Sequence, residues 1–292
     1  MKSTYGHNKI IEFFETAKQE GELSHAYCLV GPEHVGKRAI AENISKQLLQ
    51  RPPQQSPDFQ LIRTEDSREI KVDQIRYARG FVSGQAHGDK KVLIINEAEK
   101  MNQSAANAFL KTLEEPAEDT VIFLLLTDES SLPATINSRC QSLYIRPVKQ
   151  ENIREYLESQ NIDPDPVEKI SFAASGLKEK AQEWAEDYNS FEEFLEQIKT
   201  LGKIANQPFY KKTDQLEKLY NDFDRDQLRE FISSWQIGLH LHLQEESQID
   251  FNPDLSFTEI KDILKELQRS QDRIEKNINK KIILDKILQT IP

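Results

Sequence analysis

The stretch KKVLIINEAEKMNQSAANAFLKTLEEP, Lys90 to Pro116, decides how this chain folds. Val92 to Ile95 is an unbroken apolar run, the pattern of a strand buried on both faces of a parallel sheet, and it stops at Asn96 and Glu97. Polar groups at the carboxyl end of a buried strand stand where open α/β sheets hold their ligands. Asn102 then predicts a helix N-cap, with Ala106, Phe109, Leu110 and Leu113 on one face and Pro116 as the stop after Glu114 and Glu115. Val121 to Leu126 reads as a second buried strand that ends on Thr127 and Asp128, and SLPATINSRC (131–140) closes the segment.

On the amino-terminal side, Tyr27 to Val30 reads as a short strand followed directly by GPEHVGKR (31–38). Gly31 and Gly36, with Pro32 between them and Lys37 after them, have the spacing of a loop whose backbone amides and helix amino end cradle phosphate. Ala39 to Leu49 supplies that helix. The order strand, glycine loop, helix is therefore complete.

Composition narrows the class. At 292 residues, two or three domains are expected. Charged residues at 30% and hydrophobic ones at 37% give the balance of a soluble chain with more than one core. No apolar run is long enough to span a bilayer, and Met1 to Gly21 lacks a signal-peptide core, so a cytoplasmic protein is expected. A net charge of −11 argues against a surface that grips nucleic acid broadly. Cys28 and Cys140 are the only cysteines, too few to complete a structural zinc site, and no metal is predicted.

The segments SHAYCLVGPEHVGK (24–37), KVLIINEAEKM (91–101), NAFLKTLEEP (107–116), SRC (138–140) and, more weakly, NINKKIILDKIL (277–288) resemble the clamp-loader branch of the AAA+ family. The resemblance implies an α/β AAA+ parallel-sheet P-loop domain over 1–147, a helical lid over 148–187 and an all-α collar domain for oligomerisation over 188–292. Hydrophobic spacing agrees. A helix is predicted over 5–20, a strand over 59–63, a helix over 72–81 and a last strand over 143–145. Beyond Pro147 everything reads as helix: 153–160, 167–174, 178–185, 191–204, 216–223, 227–244, 257–266 and 274–290, with QEESQIDFNPD (244–254) as a loop. Many relatives carry a four-cysteine zinc module where this chain has RPPQQSPDF (51–59), without a cysteine.

A hydrolysing P-loop needs a Ser or Thr after the lysine and an acid ending the central strand, because both hold Mg²⁺. Arg38 and Asn96 stand there, one a pure donor and the other neutral. Glu97 matches the family's water-activating carboxylate, and Thr127 its sensor position. In GLKEKA (176–181), where active subunits place an arginine facing the phosphates, Glu179 and Lys180 are found. The expectation is weak ATP or ADP binding at most, without efficient hydrolysis. Glu97 also reads, more plainly, as a polar strand end.

In the family the SRC arginine, here Arg139, reaches a neighbour's γ-phosphate as an arginine finger. Its plainer reading is a surface or structural salt bridge. The resemblance thus implies a non-hydrolysing stator subunit of a bacterial clamp loader. Its partners would be the ATPase motor subunit and the clamp-opening subunit, with the sliding clamp and primed DNA reached through the complex. The alternative is an ATPase-active motor subunit of the same complex. His240 and His242, two apart on a helix, cannot chelate as an i, i+4 pair would. Phe191, Phe194, Phe231 and Trp235 read as core or subunit contacts, and Lys276, Lys280 and Lys281 as a solvated face.

Overall fold

The computed structural model describes residues 6–64, 69–115, 117, 119–160, 162–208, 211–212, 223–243, 251 and 253–292. The chain divides into two compact units, Met1–Tyr156 with Gly176–Lys180, and Leu157–Ser175 with Ala181–Pro292.

The first unit is built on five parallel strands: β1 (Ala26–Val30), β2 (Phe59–Ile62), β3 (Lys91–Ile95), β4 (Thr120–Leu126) and β5 (Gln141–Tyr144). Their order is β2-β3-β4-β1-β5. Cys28 pairs with Leu124 on one side and with Ser142 on the other, and Ile94 pairs with Phe123. Every residue of β1, β3 and β4 is buried, which is why these three strands are continuous apolar runs.

Successive residues of each strand face opposite sides of the sheet and build two separate cores. Tyr27, Leu29, Ile94 and Phe123 pack with Phe14 of α1 (Asn8–Glu20) and with Ile40 and Ile44 of α2 (Lys37–Leu49). Cys28, Leu93 and Leu124 pack on the other side with Ile75 of α3 (Val72–Ser83) and with Phe109 and Leu113 of α4 (Gln103–Glu114). Each fully buried Leu, Ile or Phe contributes roughly 1.5–3 kcal/mol. Asn102 caps α4 as predicted, its Oδ1 accepting from Ala105 N at 2.9 Å.

The last strand departs from expectation. It lies at Gln141–Tyr144 rather than 143–145, because β5 is an edge strand whose exposed Gln141 and Tyr144 hide it from hydrophobic patterning. A short helix, α5 (Ala134–Asn137), precedes it.

Helix α6 (Gln150–Glu158) crosses from the first unit into the second. There follow α7 (Pro164–Ala173), α8 (Lys178–Glu186), α9 (Tyr188–Ala205), α10 (Arg225–His242), α11 (Phe257–Glu275) and α12 (Lys280–Thr290). The aromatic residues form the core: Trp184 stacks against Phe191 and Phe194 with ring centroids 5.2 and 4.5 Å away. Phe231 lies 4.5 Å from Trp235, whose indole N–H donates to Gln197 O at 2.9 Å.

The helix expected over 257–266 runs on to Glu275, and the one expected over 274–290 starts only at Lys280. Asn277 sits at φ 57°, ending α11, and Asn279 caps α12 by accepting from Lys281 N at 2.9 Å. His240 is exposed, while the His242 ring meets Phe251 edge-on at 5.9 Å. Tyr5, Pro116, positions 216–222 of one expected helix, and Gln244 with most of the expected 244–254 loop lie outside the described residues. Among the described residues no helix is long and apolar enough to cross a membrane.

Candidate functional site

Residues 31–36 connect β1 to α2. Gly31 N donates to Leu126 O at 3.1 Å, so the β1–β4 ladder continues into the loop. A Cβ at position 31 would lie 2.3 Å from Ile145 O, so only glycine lets the chain leaving β5 pass this close. Gly36 caps α2 at φ 106°, a left-handed conformation open to glycine. The order of strand, glycine turn and helix that the spacing predicts is therefore formed.

Its lysine is turned inward. Lys37 Nζ donates to Gly31 O and to Pro32 O, both at 2.7 Å. Burial pushes the Lys37 ammonium below its ordinary range, and the charges of Glu99, Glu179, Glu33 and Glu97 act against that fall. Two of the ammonium's donors are thus taken up by the loop's own carbonyls, within an acidic surrounding.

At the strand ends, Asn96 N donates to Ile62 O at 2.8 Å, extending the β2–β3 ladder. Glu97 follows in a left-handed conformation, φ 54°, which aims its carboxylate at Thr64 Oγ1, 2.9 Å away, and at Lys100 Nζ. Thr127 donates from both its N–H and its hydroxyl to Glu99 Oε1, at 3.1 and 2.9 Å. Glu99 Oε2 is buried without a hydrogen-bond partner. Sequence reasoning missed Glu99, since an acid in a polar turn carries no signal until the turn folds back on β4.

Arg38 points away, its Nε 2.8 Å from Glu42 Oε1 along the outside of α2. Lys37 feels the charges of Glu97 and Glu99, and Glu99 in turn holds Thr127, whereas Arg38 pairs outward with Glu42. The two positions at which a P-loop holds magnesium lack their usual oxygens: Arg38 supplies none and Asn96 only a neutral amide oxygen, while Glu97 and Thr127 are held by their neighbours.

The turn from Gly176 to Lys180 closes over the loop within the same unit. Val148 N donates to Gly176 O at 3.0 Å, and Glu179 N to His34 O at 2.9 Å. Beside them His7, buried, has Nε2 3.2 Å from Val35 O. Its pKa is lowered, chiefly by burial and further by the Lys178 charge, against the raising effect of the Val35 carbonyl. Lys178 is itself buried, its ammonium 4.2 Å above the Tyr156 ring, and burial lowers its pKa to about 8 against the pull of Glu179. His7 and Lys178 escaped the sequence reading because each sits in a polar stretch whose burial depends on the turn closing.

Arg139 occupies the turn between α5 and β5. Its Nη1 donates to Thr135 O at 2.9 Å and its Nη2 to Glu114 Oε1 at 3.1 Å, with the guanidinium side chain 37% exposed and Glu114 50%. The plainer reading, a surface ion pair, describes what Arg139 does within this chain. The next residue, Cys140, hydrogen-bonds to buried Cys28, and that bond together with burial pushes the Cys28 thiol up. A cleft of about 710 Å³, lined by Gly31, Pro32, Thr127, Asn137, Tyr144 and Arg146 among others, runs along the carboxyl ends of β4, β1 and β5. This is the crevice where such sheets take ligands.

A phosphate loop after β1, an acidic turn after β3, a threonine ending β4 and an exposed arginine before β5, on a parallel 2-3-4-1-5 sheet, define an AAA+ P-loop domain. The chain matches the family described as DNA polymerase III, delta subunit, over residues 6–149. It is 43% identical over 136 residues to DNA polymerase III subunit delta′ of Pseudomonas aeruginosa, covering 40% of this chain and 42% of that protein. To the delta′ subunit of Bacillus subtilis it is 28% identical over 191 residues, 60% of this chain and 58% of the other. To subunit tau of Escherichia coli it is 33% identical over 161 residues, 47% and 24%. The matched part thus spans less than two thirds of each of these relatives. The crystal structure of a DNA polymerase III, gamma subunit-related protein from Thermotoga maritima has the same fold, with a TM-score of 0.60 at 22% identity over 94% of this chain and 97% of that one.

Proposed function

We propose that this chain is the non-hydrolysing stator of a bacterial DNA polymerase III clamp loader, acting in the cytoplasm. Residues 1–147 serve as its AAA+ domain, 148–187 as its lid and 188–292 as its collar. It assembles with the ATPase motor and clamp-opening subunits, and through them acts on the sliding clamp and primed DNA. Arg139 is its contribution to chemistry: the guanidinium, always charged and forked, is presented to the γ-phosphate of ATP held by a neighbour.

One observation carries this reading. The phosphate loop keeps its shape while Lys37 is spent on its own carbonyls and the magnesium oxygens are missing, so the pocket suits neither a tight polyphosphate nor its hydrolysis. Any ATP or ADP at Gly31, Pro32, Gly36 and Lys37 would have to displace that lysine and face Glu97 and Glu99. Arg139, in contrast, stands at the surface.

Arg139→Ala is expected to leave the isolated chain folded, because an ion pair this exposed is worth about 1 kcal/mol or less. In a complex reconstituted with its partners, the same change should lower ATP turnover at the adjoining site by roughly 10³-fold, the lower range for an arginine finger. An unchanged rate would reject the role. The matches to tau favour the motor reading as the second choice. Magnesium-dependent phosphate release by the lone chain, at a motor subunit's rate, would establish that reading instead.

A further inference from the structure

The second unit carries a groove with a chemistry of its own, between α10 and α11. It encloses about 500 Å³, a size that holds one bulky side chain and the backbone flanking it. Half-buried Leu264 lines it, with Leu243 and Phe257 where the carboxyl end of α10 meets the amino end of α11. Phe257 is 68% exposed and Leu243 39%, so the apolar end faces water. At the other end Gln236 Nε2 donates to Gln268 Oε1 at 3.5 Å and bridges the two helices.

The fold has no need of Phe257. The amino end of α11 is closed by Ser256 and Glu259, with Ser256 N donating to Glu259 Oε2 at 2.7 Å and Glu259 N to Ser256 Oγ at 3.3 Å. The Phe257 ring thus lies beside that cap, with a second exposed apolar side chain, Leu243, lining the same groove.

Charge names the kind of partner. The chain has 49 Asp and Glu against 38 Lys and Arg, yet among the described residues the groove is lined by two lysines, Lys261 and Lys265, with His240 and without an acid. Lys261 and Lys265 are one helical turn apart and share a face. The acid paired with Lys265, Asp262 at 3.6 Å, is not among the lining residues. Two lysines make too small a basic surface for extended nucleic acid, whose affinity comes from many phosphate contacts.

We infer that this groove binds a short acidic peptide segment of a partner protein. The segment's bulky apolar side chain seats between Phe257, Leu243 and Leu264, and its carboxylates lie along Lys261, Lys265 and His240. This inference does not use the stator reading and stands or falls separately from it.

The test uses the full chain and a fluorescein-labelled ten-residue peptide of aspartate and glutamate ending in phenylalanine, followed by fluorescence anisotropy. Saturable binding is expected, at least about tenfold weaker in Lys261→Glu/Lys265→Glu and in Phe257→Ser, and weaker as salt shortens the Debye length below about 8 Å. Replacing the peptide's phenylalanine by serine should weaken it similarly. All three protein positions are exposed, so circular dichroism melts should move by no more than the small shift that the loss of the exposed Lys265–Asp262 pair and the new like charges allow. Three results would overturn the inference: no saturable binding, binding indifferent to the lysine reversal, or tighter capture of single-stranded DNA of equal charge. Self-association of the wild type that Phe257→Ser abolishes would also overturn it, in favour of a contact between copies.

Discussion

Gly31 shows how one residue serves both the sheet and the site. Its missing Cβ lets the backbone at Ile145 approach, and the same approach fixes the carbonyl that receives Lys37. Gly31→Ala should therefore cost about 1–3 kcal/mol through overpacking against backbone that cannot rotate aside, read as a lowered melting temperature. Lys178 gives a pH dependence. Its pKa is about 8 in the folded chain against an ordinary 10.5, so below pH 8 it is charged in both states and the cost of burying that charge is fully present. Between those values the unfolded chain holds the extra proton, and stability rises with pH. Urea titrations from pH 7 to 11 should show the rise, and Lys178→Met should flatten it; parallel curves for the two proteins would refute the assignment. Lys37, Glu97 and Thr127 were legible in sequence because strands and spacing place them. Glu99, His7 and Lys178 were not, because their partners come from turns distant along the chain.

At the scale of elements, α4 is the best-specified piece. Asn102 opens it, its apolar face closes one side of the sheet, and its last residue, Glu114, holds Arg139. Asn102→Ala should destabilise the chain by about 1 kcal/mol by leaving the Ala105 N–H without its cap, a shift readable in denaturant midpoint. The buried strands were equally clear, since burial on both faces writes itself as a continuous apolar run. The edge strand β5 starts two residues and ends one residue before the expected 143–145, and the helix expected from 274 starts at Lys280. In both places the deciding contacts are non-local or depend on backbone handedness: β5 is set by its register with β1, and the break at Asn277 by a left-handed residue whose carbonyl receives Arg225 Nη2 at 3.1 Å.

Across the whole molecule the two compact units differ in what can report on them. Both tryptophans of the chain, Trp184 and Trp235, are buried in the second unit. Tryptophan emission thus follows that unit, while far-ultraviolet circular dichroism follows both. Units with separate cores are expected to unfold separately. Gly31→Ala should accordingly lower the dichroism midpoint and leave the emission midpoint in place. Equal shifts in both signals would mean that the two cores melt as one block.

What the sequence determined by itself was everything that repeats with a local period or a fixed spacing: the buried strands, the helix faces, the glycine loop, the missing magnesium ligands at Arg38 and Asn96, and the SRC turn. What only the tertiary structure decided was how the charges pair. Lys37 folding onto Gly31 and Pro32, Glu99 clasping Thr127, and the groove between α10 and α11 all join residues from separate elements. Side-chain charge is written in one dimension, but its energy depends on distance and burial in three.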